Sequence, residues 1–193
     1  IKRLVGAGAR VHAAVRDPAD TAKLSHLAEI AGRGPGSIEL FQADLLEPGS
    51  FDAAIAGCEI VFHTASPFLD MSKISDPQRD FVDPALDGTI NVLESVNREP
   101  RVMRVVLTSS AAAMAGGPAD LDKTGGIVGA GSWNSVSTLE NNPYMFSKTI
   151  AERAAWDIAA AQDRWQLISI NPGTVLGPAL GANPTSASFD RVR

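Results

Sequence analysis

The run Val102-Met103-Arg104-Val105-Val106-Leu107-Thr108-Ser109-Ser110 decides the architecture of this chain. Its centre, Val105-Val106-Leu107, is continuously apolar rather than alternating, the pattern of a strand covered on both faces. Such strands belong to parallel sheets, so the flanking segments should be helices. Upstream, Pro77 to Asn97 reads as a helix that Pro84 should kink or divide, because proline removes a hydrogen bond and crowds the preceding turn. Downstream, Asn141 or Asn142 caps a helix whose first residue is Pro143 and which runs to about Gln162.

The same alternation continues outward. Ile1 to Val5 is a helix end closed by Gly6, and Val11 to Val15 is a strand. Ala19 to Ala31 places Ala22, Leu24, Leu27, Ala28 and Ala31 near helical spacing, with Gly32 ending it. Gly34-Pro35-Gly36 is a turn, and Ile38 to Ala43 alternates as a strand. Ser50 could cap a short helix through Ala56. Glu59 to Thr64 is a buried strand, and Leu167 to Ile170 is the last. Strands alternating with helices imply right-handed crossovers, hence an α/β fold: a doubly wound, Rossmann-like parallel sheet with helices on both faces. The Gly-rich stretch from Ala115 to Asn142 is long for a connection in a compact domain, which marks it as functional or mobile.

With 193 residues, 45% hydrophobic and 20% charged, the chain fits one ordinary globular domain. A net charge of −5 provides no basic stripe, which argues against nucleic acid or an anionic membrane as partner. No apolar run approaches the roughly 20 residues that span a bilayer. Cys58 is the single cysteine, which excludes an internal disulfide and fits a reducing, cytoplasmic compartment. His12, His26 and His63 show no metal-ligand spacing, so no metal is expected.

In a doubly wound sheet, ligands bind at the carboxyl ends of the strands. Topology therefore selects Arg16-Asp17, Asp44-Leu45, Thr64-Ala65-Ser66, Ser109-Ser110 and Pro172-Gly173-Thr174 for inspection. Beside them stands Tyr144-Met145-Phe146-Ser147-Lys148. Residues four apart on a helix share a face. An ammonium beside a phenol favours the phenolate, which makes the tyrosine a usable general acid near neutral pH. Alone, this pair is equally an ordinary half-buried tyrosine beside a solvated lysine.

The ordered set is more specific. Ala14-Val15-Arg16-Asp17-Pro18, Ala43-Asp44-Leu45, Val61-Phe62-His63-Thr64-Ala65-Ser66-Pro67, Asp87-Gly88-Thr89-Ile90-Asn91-Val92-Leu93, Val105 to Ala111, Tyr144 to Lys148 and Asn171-Pro172-Gly173 occur in one order across nearly the whole chain. In this the chain resembles the extended short-chain dehydrogenase/reductases, within the NAD-dependent epimerase/dehydratase superfamily. Within them it looks like the dihydroflavonol reductase, cinnamoyl-CoA reductase and fungal or bacterial aldehyde reductase group.

The resemblance implies a catalytic set of Ser110, Tyr144 and Lys148, with adjacent Ser109 the alternative serine. Tyr144 would protonate the carbonyl oxygen, Ser110 would hydrogen-bond it, and Lys148 would hold the nicotinamide ribose and lower the tyrosine pKa. It implies NADP as cofactor: an arginine after the second strand of the family fold suits a 2′-phosphate, where an acidic residue would suit the free ribose of NAD. Arg16 fills that place, with Lys23 as a second phosphate ligand. Asp44 and Leu45 would flank adenine, Thr64, Ala65 and Ser66 would run beside the ribose and pyrophosphate, and Pro172, Gly173, Thr174 and Val175 would line the carboxamide. A small-molecule carbonyl compound would be the substrate; oligomeric state is not implied. Ala115 stands where plant flavonoid reductases carry an asparagine, which argues against a flavonoid.

The family's glycine-rich phosphate loop and C-terminal substrate lobe have no counterpart in the sequence. Gly6-Ala7-Gly8 is no substitute, because position 11 is Val and a strand follows. The expectation is a Rossmann domain, residues 1–193, truncated at both ends: it opens inside a helix and closes on Ser188 to Arg193 without a stop signal. Such a chain should lack the central strand and bind NADPH weakly by itself. A 3β-hydroxysteroid or sugar-nucleotide enzyme of the same superfamily, and a non-catalytic NADP sensor, are the rival expectations.

Overall fold

A computed structural model describes residues 1–66 and 75–177. Pro67 and the closing segment Ser188 to Arg193 lie outside the described residues. Helix α1 (Lys2–Gly6) leads to strand β1 (Arg10–Val15), α2 (Thr21–Ala31), β2 (Ser37–Gln42), the single turn α3 (Asp52–Ile55) and β3 (Ile60–His63). A π-helical turn (Gln78–Val82) precedes α4 (Asp83–Arg98) and β4 (Arg104–Thr108). A 3-10 turn (Ala111–Ala113), α5 (Pro118–Lys123), α6 (Pro143–Ala160) and β5 (Gln166–Ile170) follow.

Every strand pair is parallel, as the apolar run of β4 implies. Among the described residues β1 pairs with β2 alone, and β4 lies between β3 and β5, in two sheets that share no hydrogen-bonded ladder. Helices α1 and α2 pack on the β1–β2 pair and on each other, while α3 packs on the same pair and on α4. Helices α4 and α6 pack together against the three-stranded sheet. The core collects there: Val92, Leu93 and Val96 of α4 meet Val105 and Leu107 of β4, Ala155 of α6, Trp165 and Leu167.

At Pro84, where a kink or division was expected, the π-helical turn Gln78–Val82 runs directly into α4, with Val82 and Asp83 both in the right-handed helical region and Pro84 in the first turn of α4. Two local expectations resolve differently. Ser50 does not cap α3; its hydroxyl donates to the Asp44 carbonyl at 2.7 Å instead. Strand β3 is buried on one face only. Val61 and His63 turn inward, but Ile60 and Phe62 remain 47% and 49% exposed, as do Ile168 and Ile170 of β5 in part, because no described element covers that face.

The long connection is pinned rather than loose. Buried Asp120 accepts from the Gly116 amide at 2.8 Å and the Ser135 hydroxyl at 2.6 Å. Buried Asn134 donates to the Ala112 carbonyl at 2.8 Å. Trp133 packs under the Arg153 guanidinium, 4.8 Å from ring centre to the cation, which ties the connection to α6.

Candidate active site

Helix α6 carries the site. The Asn142 side chain accepts from the Met145 amide at 3.2 Å, and Pro143 occupies the first turn, so the helix starts at one defined residue. From that start Tyr144, Lys148 and Glu152 follow at single-turn intervals along one face. Lys148 and Glu152 are buried, and Tyr144 is half-buried. The Tyr144 ring meets Phe81 of the π-helical turn edge-on at 6.0 Å, and Lys148 Nζ lies 5.5 Å from its centre. That ammonium donates to the Ser66 hydroxyl, just beyond β3. Burial pushes the Lys148 pKa down to about 8.

The two serines at the end of β4 are distinguished by their partners. Ser109 Oγ donates to Glu152 Oε2 at 2.5 Å. Ser110 Oγ accepts from the Ala112 amide at 3.2 Å, capping the 3-10 turn and leaving its own proton available to another acceptor. Ser66, Ser109, Lys148 and Glu152 line one small cleft, floored by His63 and Thr89. His63 is 5% exposed, and burial, then the Lys148 charge, hold its pKa down to about 4. Its imidazole is therefore neutral at pH 7.

A second group gathers at the carboxyl ends of β1 and β2. Arg16 is exposed directly after β1, and among the described residues no carboxylate holds its guanidinium. Asp17 is engaged locally, accepting from the Ala19 amide at 2.9 Å. Lys23 is exposed in the first turn of α2 and pairs with the capping Asp20 at 3.3 Å. Asp44 accepts from the Leu46 amide at 2.9 Å with one oxygen, leaving the other for a ligand. Leu45 packs against Gly88 of α4; a Cβ there would sit 2.9 Å from the Leu45 side chain, so only glycine admits this approach. Thr64 and Ala65 are exposed after β3, and Pro172, Gly173, Thr174 and Val175 form the strand-free segment after β5.

Three contributors were not singled out from sequence. Asn91 of α4 is buried and reaches the loop after β2: its amide donates to the Leu45 and Glu47 carbonyls at 3.1 and 2.7 Å, and its oxygen accepts from the Gly49 amide at 2.8 Å. Glu152 and His63 are the others. A polar residue recurring on the apolar stripe of a helix or at a strand end was the available signal. A larger hollow of about 360 Å³ opens at the opposite, amino ends of β3, β4 and β5, around Ile60, Arg104 and Gln166. It holds no nucleophile or acid–base pair and stands apart from Tyr144.

Parallel strands, helical crossovers and a tyrosine–lysine helix at the strand ends define a Rossmann-type chain. Residues 1–191 match the family described as NAD dependent epimerase/dehydratase, and the chain belongs to it. It is 42% identical over 185 residues to the cinnamoyl-CoA reductase CAD2 of Medicago truncatula, covering 93% of this chain and 54% of that protein. It is 36% identical over 192 residues to the anthocyanidin reductase of Arabidopsis thaliana, covering 97% and 54%. Among solved structures it is similar to Gre2 from Candida albicans in complex with NADPH, with a TM-score of 0.76, 30% identity, and 92% of this chain and 54% of that one covered. The chain thus spans about half the length of the relatives it matches. Among the described residues no helix is long and apolar enough to cross a membrane.

Proposed function

We propose that this chain carries the cofactor-binding and acid–base half of an NADPH-dependent reductase of aldehydes or ketones. The observation that supports the reading is buried Lys148 beside Tyr144 on one face of α6, reaching Ser66 just beyond β3, with Ser110 following the carboxyl end of β4. Its relatives' names, cinnamoyl-CoA reductase and anthocyanidin reductase, and the NADPH held by Gre2 support the same class.

The residues present fit NADP at two places. Arg16 offers an exposed guanidinium fork, unengaged among the described residues, where a 2′-phosphate would lie, and Lys148 offers a desolvated ammonium for ribose hydroxyls. Asp44, Leu45, Thr64, Ala65, Ser66 and the segment from Pro172 to Val175 would border the rest of the cofactor, as the resemblance implies. NADPH would supply the hydride. The chain supplies the proton and the polarisation: Tyr144 gives its phenolic proton to the carbonyl oxygen, and Ser110 Oγ donates a hydrogen bond to that oxygen as charge builds on it. Lys148 stabilises the phenolate that Tyr144 becomes. The mostly neutral connection from Ala115 to Asn142, with Ala115 in place of a polar side chain, favours a small or medium apolar carbonyl compound over a flavonoid.

The test is NADPH oxidation by the full-length protein against a panel of aldehydes, ketones and acyl-CoA thioesters. Aldehydes or ketones should be reduced, and Tyr144→Phe should lower kcat by about a hundredfold or more, the weight of general acid catalysis. Unchanged turnover in Tyr144→Phe would remove the reading.

A further inference from the structure

Glu152 stands at a junction that the acid–base chemistry does not itself use. It is only 6% exposed, one turn beyond Lys148 on α6. A carboxylate so placed costs several kcal/mol in desolvation unless donors surround it. Three do. Ser109 Oγ donates to Oε2 at 2.5 Å, Asn171 Nδ2 donates to the same oxygen at 2.6 Å, and the Trp156 indole N–H donates to Oε1 at 3.3 Å. Every partner is a donor, so both oxygens of the carboxyl group serve as acceptors.

These partners lie on different elements. Ser109 ends β4, and Asn171 follows β5 immediately. Asn171 Nδ2 also donates to the Ser110 carbonyl at 3.1 Å, and its Oδ1 accepts from Ser169 Oγ at 3.0 Å. The Ala111 amide, on the other side of Ser110, donates to the Pro172 carbonyl at 2.9 Å. Ser110 is therefore bracketed on both sides by groups that Glu152 holds directly or through Asn171. The same carboxylate is fixed to the helix that presents Tyr144 and Lys148.

We infer that Glu152 is a positioning residue, whose carboxylate sets the placement of Ser110 against the Tyr144–Lys148 pair by locking the ends of β4 and β5 to α6. This rests on the reductase reading above. A misplacement of about 1 Å at a reacting group costs on the order of a hundredfold in rate, so the lock acts on turnover rather than on cofactor binding. Glu152→Gln keeps the shape but turns an N–H₂ group toward a donor, and cannot accept from all three partners. Ser109→Ala removes one donor and leaves the carboxylate with two.

The experiment measures kcat, KM for NADPH, melting temperature and amide hydrogen exchange in the full-length protein and these variants. Glu152→Gln should lower kcat by about tenfold to a hundredfold with KM for NADPH within about twofold. It should also speed exchange of the Ser109 and Ala111 amides while exchange in the interior of α6 is unchanged. Ser109→Ala should show a smaller loss of the same kind, and the double variant should fall short of the product of the two. Wild-type kcat in Glu152→Gln, or losses in kcat and NADPH affinity that rise together with a lowered melting temperature, would overturn the assignment. Tyr144→Phe separates the two ideas. If it retains activity, the reductase reading has failed; if it is inactive while Glu152→Gln is not, only the lock has failed. Unaltered exchange at Ser109 and Ala111 would count against the lock whatever the substrate proves to be.

Discussion

The Lys148 ammonium lies 5.5 Å from the centre of the Tyr144 ring, one helical turn away and buried, with Ser66 as its hydrogen-bond acceptor. Burial is what makes this lysine unusual. Desolvation disfavours its charged form and takes its pKa from 10.5 to about 8. The depression corresponds to roughly 3 kcal/mol of unfavourable burial at pH 7.

The sign of the pH effect follows. Below pH 8 the lysine is protonated in both folded and unfolded states, and the folded state bears the full penalty. Between about 8 and 10.5 the unfolded state holds more protons, so stability rises with pH across that window. Lys148→Met should therefore be more stable than wild type at pH 7, by about 1 to 3 kcal/mol, and should lose the rise between pH 8 and 10.5. It should also lose activity. Denaturant unfolding at pH 7 and pH 10 checks both; an unchanged or lowered stability at pH 7 would show that the ammonium is better satisfied than its surroundings imply.

His63 titrates on the acid side. Burial, then the nearby Lys148 charge, lowers its pKa from 6.5 to about 4. Above pH 6.5 it is neutral in both states. As pH falls from 6.5 to about 4 the unfolded state takes up the proton first, and stability drops by up to roughly 3 kcal/mol. His63→Gln should flatten that limb between pH 6.5 and 4. Melting temperatures at half-unit pH steps would show it, and an equally steep limb in the variant would assign acid lability to the carboxylates instead.

How much of this was legible beforehand varies with the physics. Apolar runs, continuous in β4 and alternating in β2, located all five strands within two residues at each end, because burial in a sheet leaves a local pattern. Asn142 and Pro143 located the start of α6 through backbone chemistry that operates within one turn. The bare face at Phe62 and Ile168 was not legible, since an apolar residue looks the same covered or uncovered. Nor was the separate engagement of Ser109 and Ser110, which depends on Glu152 arriving from 43 residues away. Asn91 was quoted within a motif, but its carbonyl and amide partners lie on a loop more than 40 residues earlier. Long-range polar contacts have no periodicity for a sequence to display.

Cofactor choice depends on Arg16. Its guanidinium is exposed after β1 and unengaged among the described residues, whereas Lys23 is already paired with Asp20. Arg16→Ala in the full-length protein should weaken NADPH by about tenfold to a hundredfold, the range for removing a charge-assisted contact to phosphate, with NADH nearly unaffected. Lys23→Ala should cost NADPH less than tenfold. Fluorescence titration with both nucleotides decides this; equal losses for NADPH and NADH would remove Arg16 from the 2′-phosphate.

Asn91 gives the most discriminating stability test. Its amide N–H₂ faces the carbonyls of Asp44, Leu45 and Glu47 at 3.4, 3.1 and 2.7 Å, while its oxygen takes the Gly49 amide at 2.8 Å. Alanine removes these part-buried hydrogen bonds and should cost about 1 to 3 kcal/mol. Aspartate is nearly the same size but directs an anionic oxygen at three carbonyls. At pH 7 Asn91→Asp should therefore destabilise at least as much as Asn91→Ala, and should loosen the Asp44–Leu45 loop that borders the adenine site. Protonation restores one donor, so the folded-state pKa of that aspartate is raised and its penalty shrinks as pH falls from 7 to 5. Urea unfolding of both variants at pH 7 and pH 5 should show the aspartate gaining on the alanine at the lower pH. Aspartate matching wild type at pH 7 would mean that the loop is held by its backbone turns and not by α4.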